Sequence, residues 1–113
     1  LDFRFLKANA YISYEKESPD MALAYLLALA DDEASRKRIW MYDGKGIDEG
    51  FFEEAMQEYC YSFYSIASPK AYDAFLKLSE KMHALHPANP GFLNNIGLWI
   101  RIIRRPLNVM ARY

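Results

Sequence analysis

Tyr11-Ile12-Ser13-Tyr14-Glu15-Lys16-Glu17-Ser18-Pro19 returns at an offset of 50 as Tyr61-Ser62-Phe63-Tyr64-Ser65-Ile66-Ala67-Ser68-Pro69, with both tyrosines, the serine and the proline in place. Five residues beyond each proline stands an alanine, followed by an aromatic residue and a leucine: Ala24-Tyr25-Leu26 and Ala74-Phe75-Leu76. Proline suits the first position of a helix, where its missing N–H has no intrahelical partner, and serine suits the cap before it. Each copy therefore predicts one helix, a short turn, and a second helix opened by Ser-Pro. A small residue in the second turn of that helix lets two backbones approach, as in a helical hairpin. A third unit, offset by a further 37, keeps Pro106 and Ala111 but carries Leu98 and Arg101 in place of the tyrosines. Hairpins recurring at intervals of tens of residues are the mark of stacked helical repeats.

The rest of the chain agrees. Ala, Leu, Glu, Lys and Met fill the periodic segments and strict apolar–polar alternation is rare, so the pattern is helical. Asn89-Pro90 repeats the cap-then-proline signature, and Pro106 is read as opening another helix. Gly44, Gly46 and Gly50 mark one glycine-rich break, with Asp48 as a cap for the helix beyond it. The expected helices are 2–15, 19–30, 49–66, 69–85, 90–103 and 106 onward, with 31–50 an inserted loop or a short helix near 33–41. Phe3, Phe5, Tyr25, Trp40, Phe63, Phe75, Phe92 and Trp99 fall on apolar faces and are expected in the core.

Leu93-x-x-Ile96-Gly97-x-x-Ile100 resembles the first helix of a tetratricopeptide repeat, with Leu for the usual Trp and Ile for the usual Tyr. Leu85-His86-Pro87-Ala88-Asn89-Pro90 is similar to that family's junction between repeats. The match covers about residues 82–113, is looser over the middle unit, and is weakest in the first, where Asn9 stands in a leucine column. The resemblance implies an all-α fold of antiparallel helical hairpins stacked as a short right-handed solenoid. Its approximate units are 1–42, 48–87 and 90–113, the last incomplete. It also implies that Gly97 lets two helices of one hairpin touch, with Val109 or Ala111 opposite. In such arrays the first helices line a concave groove. The ligand-facing columns become Asn94, Leu98 and Arg101 in the third unit, then Gln57, Tyr61 and Tyr64, then Lys7, Tyr11 and Tyr14. Tyrosines, amides and cations in one strip suit the grip of a peptide or protein segment by ring contact and hydrogen bonds. Stacking adjacent first helices would set Arg101 over the Tyr64 ring. Leu98 and Tyr61 stand where the family's clamp for a C-terminal carboxylate has asparagine. The alternative use of the tyrosines is packing between neighbouring hairpins.

Composition narrows function further. The 113 residues, 52% apolar and 26% charged, suffice for one domain. No apolar run is long enough to span a membrane, the longest being Met21 to Ala30. The net charge of −1 argues against a general nucleic-acid partner. Its distribution is uneven: residues 1–80 hold all 15 acids against 9 Lys and Arg, whereas residues 81–113 hold 5 Lys and Arg and no acid. Acidic 43–58 and basic 101–112 could steer an oppositely charged partner, or a second copy head to tail.

Chemistry-bearing motifs are sparse. Asp43-Gly44-Lys45-Gly46-Ile47-Asp48 puts a cation and an apolar side chain where a calcium loop needs oxygen ligands, and it lacks the spacing of a phosphate loop. His83 and His86 alone do not make a metal site. Cys60, the single cysteine, excludes an internal disulfide and is read as a small packing residue. Glu49 with Glu53 and Glu54 with Glu58 are spaced as acids on a solvated helix face, without the contrasting environments that acid–base catalysis needs. No enzyme activity, cofactor or metal is expected. Two functions follow: a protein- or peptide-binding scaffold, or a structural and assembly segment of a larger chain with no separate ligand. The opening Leu1-Asp2, without methionine, and the end at Tyr113 within the third unit both suggest a piece of a longer chain.

Overall fold

A computed structural model of the chain describes the side chains of residues 3–14, 18–35 and 51–102, and the backbone of 41–42, 45–46, 49–50 and 103–112 as well. The described fold is all-helical apart from a two-residue strand pair. In order it comprises α1 (Phe3–Ser13), α2 (Pro19–Ala34), β1 (Met41–Tyr42), β2 (Lys45–Gly46), α3 (Glu49–Ile66), α4 (Pro69–Leu85) and α5 (Pro90–Arg112). The strands pair antiparallel with Met41 opposite Gly46 and Tyr42 opposite Lys45. Of the short helix offered near 33–41 as an alternative to a loop, Glu33 and Ala34 belong to α2 and Met41 is extended, while 36–40 lie outside the described residues. The missed signal is Asp43-Gly44 between the paired residues, a dipeptide favoured in two-residue hairpin loops.

Three of the four helix-opening prolines do what their neighbours predict. Pro19, Pro69 and Pro90 each start a helix. The Ser68 hydroxyl accepts the Ala71 N–H at 3.2 Å, and Asn89 Oδ1 accepts the Gly91 N–H at 2.9 Å, each satisfying a first-turn donor. Ser18 occupies the cap of α2 without a side-chain bond. Pro106 behaves differently. It lies inside α5, which runs unbroken from Pro90 to Arg112, so the second helix expected from 106 does not form and the third unit is a single helix. The residue before Pro106 is Arg105, not a capping Ser or Asn, so no side chain competes for the helix N–H groups, and α5 forgoes one hydrogen bond instead.

The helices pack in two layers. α1 with α2, and α3 with α4, form hairpins, and α4 packs on both α2 and α5. α1 reaches α3 through Phe5, whose ring stacks on Tyr59 at 6.0 Å and meets Phe52 edge-on at 6.5 Å. α3 reaches α5 through Gln57 and Asn95. Thus α1, α3 and α5 make one layer, and α2 and α4 the other. Phe5, Phe52, Met56, Phe63, Phe75, Leu78, Met82 and Phe92 form the centre of the core. Of the expected core aromatics, Phe5, Phe63, Phe75 and Phe92 are fully buried, while Tyr25 and Trp99 are partly so. Phe3 is not core: it is 58% exposed at the outer side of α1. Trp40 lies outside the described residues.

The last turn of α2, Asp31-Asp32-Glu33, carries three acids where the helix dipole disfavours them. Two cations from other helices and a capping histidine contact this turn. Arg4 of α1 bonds Asp32 at 2.8 Å, Lys81 of α4 pairs with Asp31, and His86, capping α4, faces Glu33 at 3.2 Å. These contacts place the C-terminal ends of α2 and α4 side by side.

Gly97 also departs from expectation. A Cβ built there would meet nothing within 4 Å, so among the described residues Gly97 is not at a close helix contact. Val109 and Ala111, expected opposite it, have side chains outside the described residues. The consequence is a stabilising substitution. Gly97→Ala removes a helix-interior glycine at no steric cost and should raise stability by about 0.5–1 kcal/mol, measured as a higher urea midpoint. A lowered midpoint would show that the space beside Gly97 is filled.

Candidate functional site

The candidate groove residues do not form one set. Gln57 and Asn95 make a reciprocal amide pair across α3 and α5: Gln57 Nε2 donates to Asn95 Oδ1 at 3.0 Å, and Asn95 Nδ2 donates to Gln57 Oε1 at 2.7 Å. Gln57 Nε2 also donates to the Tyr61 hydroxyl at 3.1 Å. Gln57 is therefore a fixed interhelical clamp rather than a free ligand-facing amide. The clamp's partner is buried Asn95, one position along from the expected Asn94, which is exposed. Tyr61, 55% exposed, rises from the clamp with its hydroxyl held.

Tyr64 leans the other way. Its ring meets Phe75 at 5.7 Å and Tyr72 at 6.0 Å, both on α4. Arg101 is exposed and does not lie over that ring among the described residues. The expected cation–π pair is absent because α4, not α5, supplies the neighbours of Tyr64. Lys7, another of the candidate groove residues, lies over the Phe3 ring, 5.7 Å from the centroid. Leu98 packs against the core. Tyr11 stacks on Tyr25 of α2 at 6.2 Å, on the outer side of the first hairpin, while Tyr14 is 87% exposed beyond it. Tyr11, Tyr64 and Leu98 thus serve packing as much as any surface, whereas Tyr14, Tyr61, Asn94 and Arg101 are open to solvent.

An open cleft of about 420 Å³ separates the C-terminal ends of α1 and α3, lined by Ile12, Ser13, Ser62, Ser65 and Ile66. Ser62 spends its hydroxyl on the Glu58 carbonyl at 3.1 Å. No residue in this lining stood out in the sequence, since serines in a helical pattern carry no positional signal. The cleft comes from the divergence of two helix ends, where α3 closes on Ala67 at φ 59°. That left-handed turn directs the chain back into α4.

The titratable groups inside the fold serve structure. Cys60 is fully buried, and that burial pushes its thiol up to about 12, with hydrogen bonds from Ser79 and Asn95 opposing the rise. It is a protonated packing group, and the Ser79 hydroxyl donates to its sulfur at 3.5 Å. His86 presents Nε2 to Glu33 at 3.2 Å and Nδ1 to Glu53 at 3.6 Å, and Asn89 Nδ2 donates to Glu53 at 2.9 Å. This junction of α2, α3, α4 and α5 was invisible in the spacing, because its carboxylates come from residues 53 and 33 positions away. Its two ring nitrogens face different carboxylates, which suits a bridge between helices and not the chelation of one ion. Among the described residues no three His, Cys, Asp or Glu side chains are grouped to hold a metal. No described helix is long and apolar enough to cross a membrane. No family model matches the chain, and neither a curated protein nor a solved structure matches it.

Proposed function

We propose that the chain is a protein- or peptide-binding scaffold of the tetratricopeptide-like kind, using the face of the α1–α3–α5 layer. The observation that carries this is Tyr61: a half-exposed aromatic ring whose hydroxyl is fixed by Gln57, itself locked to Asn95. A large side chain already held in one place forfeits little conformational entropy on binding, which is why such tyrosines act as anchors. The cleft between α1 and α3 lies on one side of it, and α5 with exposed Asn94 and Arg101 lies on the other. The hairpins α1–α2 and α3–α4, with α4 packed on both α2 and α5, support a reading as stacked helical repeats. Catalysis is no part of the proposal.

The test is selection of peptides from a displayed random library, followed by titration against Tyr61→Ala. Tyr61 projects from the surface, so the variant should keep its helical circular dichroism and lose about tenfold or more in affinity for the selected peptides. Peptides that bind both proteins alike would remove Tyr61 from the site. The second reading, a structural and assembly segment without a separate ligand, is favoured by the uncovered outer faces of α1 and α5. Failure to select any peptide would support it.

A further inference from the structure

A few side-chain contacts fix the register of the three helices in the α1–α3–α5 layer. Asn89 donates to Glu53, and Asn95 exchanges hydrogen bonds with Gln57, so α5 runs parallel to α3. Phe5 meets Phe52 and Tyr59, while Ile12 and Ser13 stand across the cleft from Ser62, Ser65 and Ile66, so α1 is parallel to α3 as well. Arg101, six residues past Asn95, is therefore level with the stretch of α3 from Tyr61 to Ser65, which is also the level of the cleft. Cleft, Tyr61 ring and Arg101 make one strip that crosses the three helices.

The strip changes character from end to end. Between α1 and α3 it opens a space of about 420 Å³ flanked by Ile12 and Ile66, and the Ser13 and Ser65 hydroxyls there make no hydrogen bond among the described residues. Tyr61 stands in the middle, half exposed with its hydroxyl held. Arg101 closes the α5 end, exposed and in no ion pair among the described residues, within a stretch, 81–113, that has no acid. Other surface cations are matched: Arg4 with Asp32, Lys77 with Asp73, Lys81 with Asp31.

We propose, resting on the scaffold reading of this face, that the strip takes an extended peptide with an aliphatic residue in the cleft and an acidic residue four positions away at Arg101. Neighbouring helix axes lie about 8–10 Å apart, so the cleft, midway between α1 and α3, is about 12–15 Å from α5. Four residues of extended chain cover about 13 Å and bring the side chain back to the same face. The aliphatic group loses water against two isoleucines, and the peptide backbone between the anchors meets the free serine hydroxyls and the Tyr61 ring. The carboxylate meets the guanidinium in a charge-assisted hydrogen bond. Glu54 and Glu58, exposed on α3 before Tyr61 and in no ion pair among the described residues, repel an acid over the middle of the strip and keep it at the α5 end.

The test starts from peptides selected on the wild-type chain out of a displayed random library. Their sequences should share an aliphatic and an acidic residue four apart. The tightest binder is then synthesised in two forms, one with its acid and one with lysine in that place, and both are titrated by fluorescence anisotropy. On the wild type the lysine form should bind about tenfold more weakly. On Arg101→Glu the order should reverse, which loss of structure could not produce. Ser65→Phe fills the mouth of the cleft from an exposed position and should weaken both forms about tenfold; Ser13→Phe replaces it should its helical circular dichroism fall. Peptides that need Tyr61 but lack the spaced pair, an unchanged preference on Arg101→Glu, or full affinity with the cleft filled each overturn this proposal and leave the scaffold reading standing. Selection of no peptide overturns both.

Discussion

Phe5→Ala is expected to lower unfolding free energy by about 3–5 kcal/mol, the range for emptying a buried phenylalanine site. Phe5 is fully buried, and its ring touches Tyr59 and Phe52 of α3. α1 has 11 residues, too few for a helix to persist alone in water, so its stability is borrowed from that contact and from α2. A domain of this size has only about 5–15 kcal/mol in total, so the loss removes a large fraction. The effect should be uneven. Amide hydrogen exchange should accelerate first in α1, whereas α3 and α4 retain their hairpin and the Phe63 and Phe75 core. Uniform acceleration across all helices would mean that the first hairpin does not open separately. A loss below about 1 kcal/mol would mean that the Phe5 site collapses or that its ring is not at the α1–α3 seam.

Asn95→Leu is expected to cost about 1–3 kcal/mol, because it leaves the Gln57 amide without its reciprocal partner. Leucine shares the branching of asparagine but is bulkier, so crowding at this buried site adds to the loss. The penalty of an unpaired amide exceeds the net gain of a paired one, so Gln57→Leu combined with Asn95→Leu should recover most of what the single change loses. A double-mutant cycle by urea unfolding measures this; losses that simply add would show that the two amides are not coupled. The same cycle reads on the surface. With Gln57 released or replaced, the Tyr61 hydroxyl loses its donor, and affinity for peptides selected through Tyr61 should fall in parallel.

The positions of the helix starts were legible because they rest on local chemistry. Ser68-Pro69 and Asn89-Pro90 place a side-chain acceptor and a residue without N–H where the first turn needs both, and the structure starts α4 and α5 there. Pro106 was misread: it was expected to open a helix, but Arg105 before it offers no cap and α5 runs through it. The burial of Phe5, Phe63, Phe75 and Phe92 followed from apolar periodicity, and Cys60, read as a small packing residue, is buried with them. Phe3 did not follow. It lies on an apolar stripe of α1 in the sequence, yet which stripe of a helix becomes interior depends on where its neighbours dock.

The candidate surface divides along the same line. Periodicity put Gln57 and Tyr61 on one face of α3, and the Gln57–Tyr61 hydrogen bond is the four-residue contact that helix geometry alone predicts. Tyr64 belongs to α4 because the turn at Ala67 brings Phe75 and Tyr72 beneath it, and Asn95 rather than Asn94 meets Gln57 because the rotation of α5 about its axis is set by the burial of Phe92 and Trp99. His86 between Glu33 and Glu53 is likewise a product of packing. Helix limits and their apolar stripes are properties of residues within a few positions of one another, and so the amino-acid order alone determined them. The azimuth at which each helix meets the next is a compromise among side chains tens of residues apart, and only the tertiary structure decided it.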